Sequence, residues 1–330
     1  MIRRAPAQET VMPAAAPDAR PLHAVLGSGP AGTALAPELA RRGHPVRLVD
    51  RKGEGPAPDG VRRLAADVGT ADGARAAVAG AAVVYHCVNV AYHLQVEVMP
   101  RVQEAVLAAV EASGARLVVL DTLYPYGRTG GAVMTEDTPW RATGRKGRMR
   151  ADLDEGYLAA HREGRARVVL ARSADFVGPG VLNSSLGAAV FPGALTGGEV
   201  LALGDIGLPH SCTAIGDVAA GLATLGERPD GDGRVWHLPT APAVATRDLH
   251  ALIEKRTGRP LNVVVLEEMR PFGPFDERFV AEYAEMFYQH TEPQIMDSSA
   301  FEQAFGVRPA PLEETVDATV TWYEQWLSRV

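Results

Sequence analysis

Cysteine is almost missing from this chain: 330 residues carry two, Cys87 and Cys212. Placed that far apart, they make neither a metal-ligand pair nor a disulfide framework, and they fit a reducing cytoplasm. A basic excess is missing as well, since 33 Lys and Arg stand against 40 Asp and Glu for a net charge of −7. That balance argues against a general polyanion binder, so no nucleic-acid partner is expected. No apolar stretch reads as a bilayer-crossing span, so no membrane partner is expected either. Met1 to Pro21, rich in alanine and proline, lacks the continuous apolar core of a signal peptide and reads as an extended arm. Beyond that arm there is no low-complexity segment, and nowhere an internal repeat. What is present, 46% apolar and 22% charged residues, describes a soluble globular protein able to bury a sizeable core in one large or two intimate domains.

The organising stretch runs from His23 to Asp50. An apolar run leads into Gly27, Ser28, Gly29, Pro30, Ala31 and Gly32, a helical segment follows, and a second apolar run ends at Asp50. Three glycines at this spacing let the backbone turn tightly and bring a pyrophosphate onto a helix N-terminus. Asp50, 23 residues beyond Gly27, stands where a carboxylate accepts ribose hydroxyls and repels a 2′-phosphate. The expected cofactor is therefore NAD. Arg51, next in sequence, keeps NADP open, because its guanidinium could meet a phosphate if Asp50 turned aside. The bland reading is a glycine-rich turn that binds nothing.

Further strands are expected at Gly60 to Asp67, Ala81 to Asn89 and Ala115 to Asp121, with a helix from Leu94 to Ala112 that Gly114 ends. Alternation of this kind predicts an α/β fold, a Rossmann-type doubly wound parallel sheet. Ligands of such sheets lie beyond the strand carboxyl ends. Around that crevice fall Asp67 and Val68, Cys87, Val88 and Asn89, and Asp121 to Gly127. Asp67 and Asn89 read equally well as turn residues.

In this order the motifs resemble those of the NAD-dependent epimerase/dehydratase family, the extended short-chain dehydrogenases/reductases. Leu120-Asp-Thr-Leu-Tyr-Pro-Tyr-Gly127 is similar to the family's S-S-x-x-x-Y-G, with Thr122 at the catalytic serine. Thr135-Glu-Asp-Thr-Pro139 resembles T-E-x-x-P, and Arg172-Ser-Ala-Asp-Phe-Val-Gly-Pro-Gly180 resembles R-P-x-N-x-Y-G-P-G. Ile215-Gly-Asp-Val-Ala219 resembles V-x-D-V-A, Phe305-Gly-Val-Arg-Pro309 the closing L-G-x-x-P, and Trp322-Tyr323 the terminal W-Y. The resemblance implies Ser173 and Asp175 on the cofactor and a homodimer built from the helix from Leu94 and the helix after Arg150. It also implies a smaller, discontinuous substrate lobe over 174–205 and 235–330, beside a dinucleotide-binding domain over 22–173 and 206–234.

Two departures shape the functional reading. The family's catalytic Y-x-x-x-K is absent, and its positions fall on Lys146 and Arg150. Arg150 is assigned to the nicotinamide ribose, and Lys146 or Tyr124 to the proton donor, with Thr122 on the reacting oxygen. The run Arg141 to Arg150 concentrates positive charge where a helix should start, which the helix dipole disfavours, so a partner is required: solvent, or an anion in the crevice. The second departure is Leu208-Pro-His-Ser-Cys212, which occupies the stretch where nucleotide-sugar enzymes of the family carry a diphosphate-binding arginine. His210 there, with Tyr126 and Asn183, is assigned to a small-molecule substrate. The expected activity is an NAD(P)-dependent oxidoreductase or epimerase-like enzyme acting on a carbonyl or alcohol. A cofactor-holding sensor without turnover and a non-redox isomerase or cyclase are the alternatives.

Overall fold

A computed structural model describes residues 20–272 and 275–329. The expected arm lies, up to residue 19, outside the described residues. Strands and helices alternate as β1 (Leu22–Leu26), α1 (Pro30–Arg41), β2 (Val46–Asp50), β3 (Val61–Ala65), α2 (Ala71–Val78), β4 (Ala81–His86), α3 (Gln95–Ser113), β5 (Arg116–Thr122), α4 (Arg145–Arg162) and β6 (Arg167–Ser173). With Val235–His237 the six strands form one parallel sheet, ordered Val235–His237, β6, β5, β4, β1, β2, β3. The winding reverses beside β1, which opens a crevice between the ends of β1 and β4.

The sequence explains why each strand is where it is. Val83, Val84, Tyr85 and His86 of β4 are all buried, because helices cover both faces of the sheet. One face packs Leu26, Val84, Val106, Leu117 and Val168 under α2, α3 and α4, and the other packs Val25, Leu35, Leu48, Val118 and Leu222 under α1 and the helix Ile215–Glu227. Each such side chain contributes about 1.5–3 kcal/mol when taken out of water. Gly114 ends α3 as expected, in a left-handed conformation (φ 71°) with its N–H donating to the Val110 carbonyl at 2.9 Å.

Two of the short motifs turn out to be ties. Glu136 accepts the His237 backbone N–H at 3.0 Å, which fixes the last strand of the sheet. Asp217 accepts the Ala310 N–H at 3.0 Å and so joins the helix start at Ile215 to the segment after Pro309. The boundary expected at Val235 needs correcting: Val235–His237 pairs with β6 in the large sheet, and Trp236 packs edge-on against Phe301 and Phe305.

A second core lies outside the large sheet. Glu199–Leu203 pairs with Asn262–Leu266, Asp175–Val177 with Cys212–Ala214, and Pro209–His210 with Val244–Ala245. Around these strands Phe191, Leu249, Ile253, Val320 and Tyr323 pack together, with the Phe191 and Tyr323 rings stacked at 5.0 Å.

Candidate active site

The glycine turn is a cradle that requires glycine at positions 27 and 32. Gly27 is left-handed (φ 97°), and a Cβ on it would lie 2.9 Å from the Cys87 carbonyl oxygen. A Cβ on Gly32 would lie 1.9 Å from the Gly27 carbonyl oxygen, so α1 sits directly on the turn. A Cβ on Gly29, the N-cap of α1, would meet nothing within 4 Å, so the space in front of the helix is open. Pro30 starts the helix, no side chain caps it, and its first turn holds no acidic residue. The free N–H groups and the positive end of the dipole suit an anion there. A dinucleotide pyrophosphate fits this cradle.

Asp50 closes β2 beside the turn. Its Oδ1 accepts the Lys52 and Gly53 N–H groups, each at 2.8 Å, and its Oδ2 accepts Arg63 Nη1 at 2.7 Å. Burial alone would push this carboxyl up, but those N–H groups, the Ser28 hydroxyl and the Arg63 charge hold it below the usual carboxylate range. At the next strand end Asp67 folds onto its own loop, accepting the Gly69 N–H at 2.9 Å, while Val68 is buried. Cys87 follows β4 with its N–H on the Leu26 carbonyl (2.9 Å), and burial pushes its thiol up to about 12. Neighbouring Val88 donates its N–H to His86 Nδ1 at 3.2 Å.

Beyond β4 and β5 the polar groups converge. Arg150, buried on α4, donates from Nη2 to Asn89 Oδ1 at 3.0 Å and lies 3.7 Å from Asp121, while its Nε is buried without a partner. Asp121 also receives Arg172 Nε at 3.1 Å, and Arg172 reaches Asp154 at 2.5 Å while lying between the Tyr126 and Trp140 rings. Burial and then the Asp121 charge push the Asp154 carboxyl well above its usual range. Thr122, at the end of β5, faces Ser173 of β6 in register. Two residues on, the Tyr124 hydroxyl lies 3.2 Å from that of Tyr92. Burial, then the neighbouring phenols of Tyr92 and Tyr283, keeps Tyr124 protonated well above the ordinary phenol range.

The second core completes this wall. Tyr92 meets Phe279 and Tyr283 edge-on at 5.7 and 5.4 Å, Tyr283 bonds His290 Nε2 at 2.8 Å, and His290 stacks on His210 at 5.4 Å. Nε2 of His210 pairs with Asp175 Oδ2 at 3.1 Å, and Ser185 donates to the same oxygen at 3.2 Å. Between Tyr124, the α4 start and residues 284–291 lies a cleft of 480 Å³, bordered by Arg128, Glu285 and Tyr288.

Three assignments made from sequence change here. Lys146 is fully buried, and its ammonium donates to the Glu282 carbonyl at 3.0 Å and to the Glu282 and Glu285 carboxylates at 2.5 and 2.9 Å. A donor so enclosed is in no position to serve the crevice. The same two carboxylates answer the question of the basic helix start: Glu285 also accepts the Lys146 N–H at 3.3 Å, and Glu282 meets Arg145. Tyr126 is 1% exposed, and its hydroxyl donates to His237 Nε2 at 2.6 Å, because His237 Nδ1 is spent on the Asp297 carbonyl. Asn183 is exposed and not joined to this cluster, and Ser185 meets Asp175 instead. Tyr92, Tyr283 and His290 were missed. No motif marks them.

The model of the NAD dependent epimerase/dehydratase family matches residues 24–238. The chain belongs to that family. No curated protein sequence matches it. Among solved structures, the fold is similar to that of an epimerase from the methanogen Methanothermobacter thermautotrophicus, with 16% identity, 94% of each chain covered and a TM-score of 0.78. It is also similar to a dTDP-glucose 4,6-dehydratase from Streptomyces venezuelae crystallised with NAD, with 18% identity, 92% of this chain and 97% of that one covered, and a TM-score of 0.75. A UDP-glucuronic acid 4-epimerase from Bacillus cereus, in complex with NAD, gives 17% identity over 93% and 98% of the two chains and a TM-score of 0.75. This member of the NAD dependent epimerase/dehydratase family has no Tyr-x-x-x-Lys anywhere in its sequence.

Proposed function

We propose that this family member binds NAD(H) on the Gly27 to Gly32 cradle and interconverts an alcohol and a carbonyl on a small polar molecule, with Tyr124 as the proton carrier. NAD(H), when bound, supplies or takes up a hydride. The observation that carries the reading is the Tyr124–Tyr92 hydroxyl pair at 3.2 Å, beside Thr122 at the end of β5. Thr122 holds the reacting oxygen by its hydroxyl, and Tyr124 delivers the proton to it. Burial keeps Tyr124 in the protonated form that carbonyl reduction consumes, and the raised pKa makes it a weak donor that the Arg150 charge beside the site would have to strengthen. Arg150, set by Asn89 and Asp121, takes the place of the family lysine on the nicotinamide ribose and offers a fork of donors in place of an ammonium.

The substrate is small. Near His210, where the nucleotide part of a larger substrate is expected, the cavity walled by His210, His290, Leu201 and Leu249 holds about 20 Å³, room for one water. The segments 174–205 and 238–330 act as the substrate lobe, and the protein works as a homodimer through α3 and α4. In support of the dimer, Val96 on α3 and Leu94 just before it are exposed.

Comparing Tyr124→Phe and Lys146→Met at saturating NADH, against a panel of ketones, aldehydes and keto-sugars, tests the assignment. Tyr124→Phe should slow turnover by about 10²–10⁴-fold with NADH affinity kept, the usual worth of general acid catalysis, and Lys146→Met should stay within about threefold. Equal, small effects from both variants refute Tyr124 as the carrier. Absence of hydride transfer from the unmodified protein to every carbonyl would favour the sensor reading.

A further inference from the structure

An ionised carboxylate offers about four acceptor sites, and in a dinucleotide site of this kind the carboxylate at the end of the second strand is expected to spend some of them on the adenosine ribose diol. In this chain most of them are already taken. Asp50 receives the Lys52 and Gly53 N–H groups at 2.8 Å and Arg63 Nη1 at 2.7 Å. Arg63 is itself held in place, with Nε donating to the Pro56 carbonyl at 3.2 Å, so the ion pair is part of the β2–β3 connection. Next to it Arg51 is exposed and makes no ion pair or side-chain hydrogen bond among the described residues.

We infer that Arg63, by occupying Asp50, removes the usual bar against a 2′-phosphate, and that Arg51 and Arg63 together let this protein bind NADPH as well as NADH. The inference rests on the NAD(H) reading above and deepens it. A 2′-phosphate brought to this corner meets two guanidinium groups, whose planar forks match phosphate oxygens by charge-assisted hydrogen bonds. Arg63 stays on Asp50 through Nη1 and on Pro56 through Nε and offers Nη2 to the phosphate, so the carboxylate stays neutralised while the phosphate binds. A ribose diol gains less from Asp50 than in a site whose carboxylate is free, because most of its acceptor sites already hold donors that the chain supplies. The two dinucleotides are thereby brought close in affinity from both sides.

Nicotinamide fluorescence titrations with NADH and NADPH, run separately at one fixed ionic strength, test this. For the unmodified protein the NADPH dissociation constant should lie within tenfold of that for NADH. Both Arg51→Gln and Arg63→Gln should weaken NADPH by tenfold or more; Arg51→Gln should leave NADH within threefold, whereas Arg63→Gln, by freeing Asp50, should tighten NADH. Arg51 touches nothing that holds the fold, so its variant keeps the test valid should Arg63→Gln fail to fold. NADPH binding more than tenfold weaker than NADH, or Arg51→Gln moving both dinucleotides equally, overturns the inference and leaves NAD(H) binding intact. Binding of neither dinucleotide overturns the NAD(H) reading itself, and the inference with it.

Discussion

Acid should unfold this protein through its histidines. Burial holds His86, His237 and His290 near pKa 4, against 6.5 for a free imidazole, and His23 is depressed to the same value. Geometry agrees with neutrality: His237 Nδ1 donates to a carbonyl while its Nε2 accepts from Tyr126, and the Arg172 charge opposes a second proton. The sign follows from the depressed values. Between pH 6.5 and 4 the unfolded chain binds more protons than the native one, so stability is complete above 6.5 and is lost as pH falls toward 4. At about 1.4 kcal/mol per unit of pKa, each of the three fully enclosed rings contributes a loss of roughly 2 kcal/mol by pH 5, and together about 6.

Some carboxyls pull the other way. Burial raises Asp217 to about 6 and lifts Asp154 and Glu136 above their ordinary ranges, so acidification relieves them and stability recovers in part. A net loss of about 4 kcal/mol by pH 5 is a large share of the roughly 5–15 kcal/mol a domain has. Urea unfolding followed by tryptophan fluorescence at pH 7.5 and 5.0 should show the midpoint fall steeply with an unchanged slope. The rings of His86, His237 and His290 should keep neutral-form NMR shifts at pH 5 in the folded protein. Unchanged midpoints, or imidazolium shifts for those rings in the native state, would refute the reasoning.

Two further outcomes are expected. Gly32→Ala places a methyl on the Gly27 carbonyl, a backbone atom that cannot step aside, so NADH affinity should fall at least about a hundredfold with a lowered melting temperature. An alanine variant that binds NADH normally would mean the helix does not seat the cofactor. Sedimentation at micromolar concentration should give a species of twice 35.0 kDa, and Val96→Glu should convert it to a single chain. A monomer before the substitution would exclude the α3 and α4 interface.

Local signals carried most of the fold into the sequence. The glycine spacing, the apolar run of β4, and Gly114 after a helix with apolar residues at every third or fourth position all encode neighbours a few residues away, where periodicity is informative. Asp50 was legible as the end of β2. Its occupation by Arg63, thirteen residues on and across a strand pair, was not, because a charged residue on a strand gives no sign of the direction it reaches. Lys146 shows the same limit more sharply: its carboxylate partners lie 136 and 139 residues later, too far for any local pattern to mark them. Tyr126 reads in the motif as a mouth residue, yet the Arg172 guanidinium over its ring and the His237 acceptor draw it inward.

These buried pairs bear on whether the site has decayed or been rebuilt. Lys146, at the position the motif reading gives to the family's tyrosine, places a cation in the interior, and an unpaired buried charge costs several kcal/mol. Both replaced positions have instead acquired acidic or polar partners from other elements: Lys146 from Glu282 and Glu285, Arg150 from Asn89 and Asp121. Asp121 stands where the motif has a small hydroxyl residue, and it serves Arg150 and Arg172 at once, with Asp154 balancing the second arginine. On the motif reading above, three departures, at Asp121, Lys146 and Arg150, are each paired with an oppositely charged or polar partner, and an unpaired charge at any one of them would be stranded in the interior. Together they turn the start of α4 from a seat for a proton donor into a seat for an ion-pair cluster. On the function proposed above, the hydroxyls of Thr122, Tyr124 and Tyr92 then carry the proton chemistry.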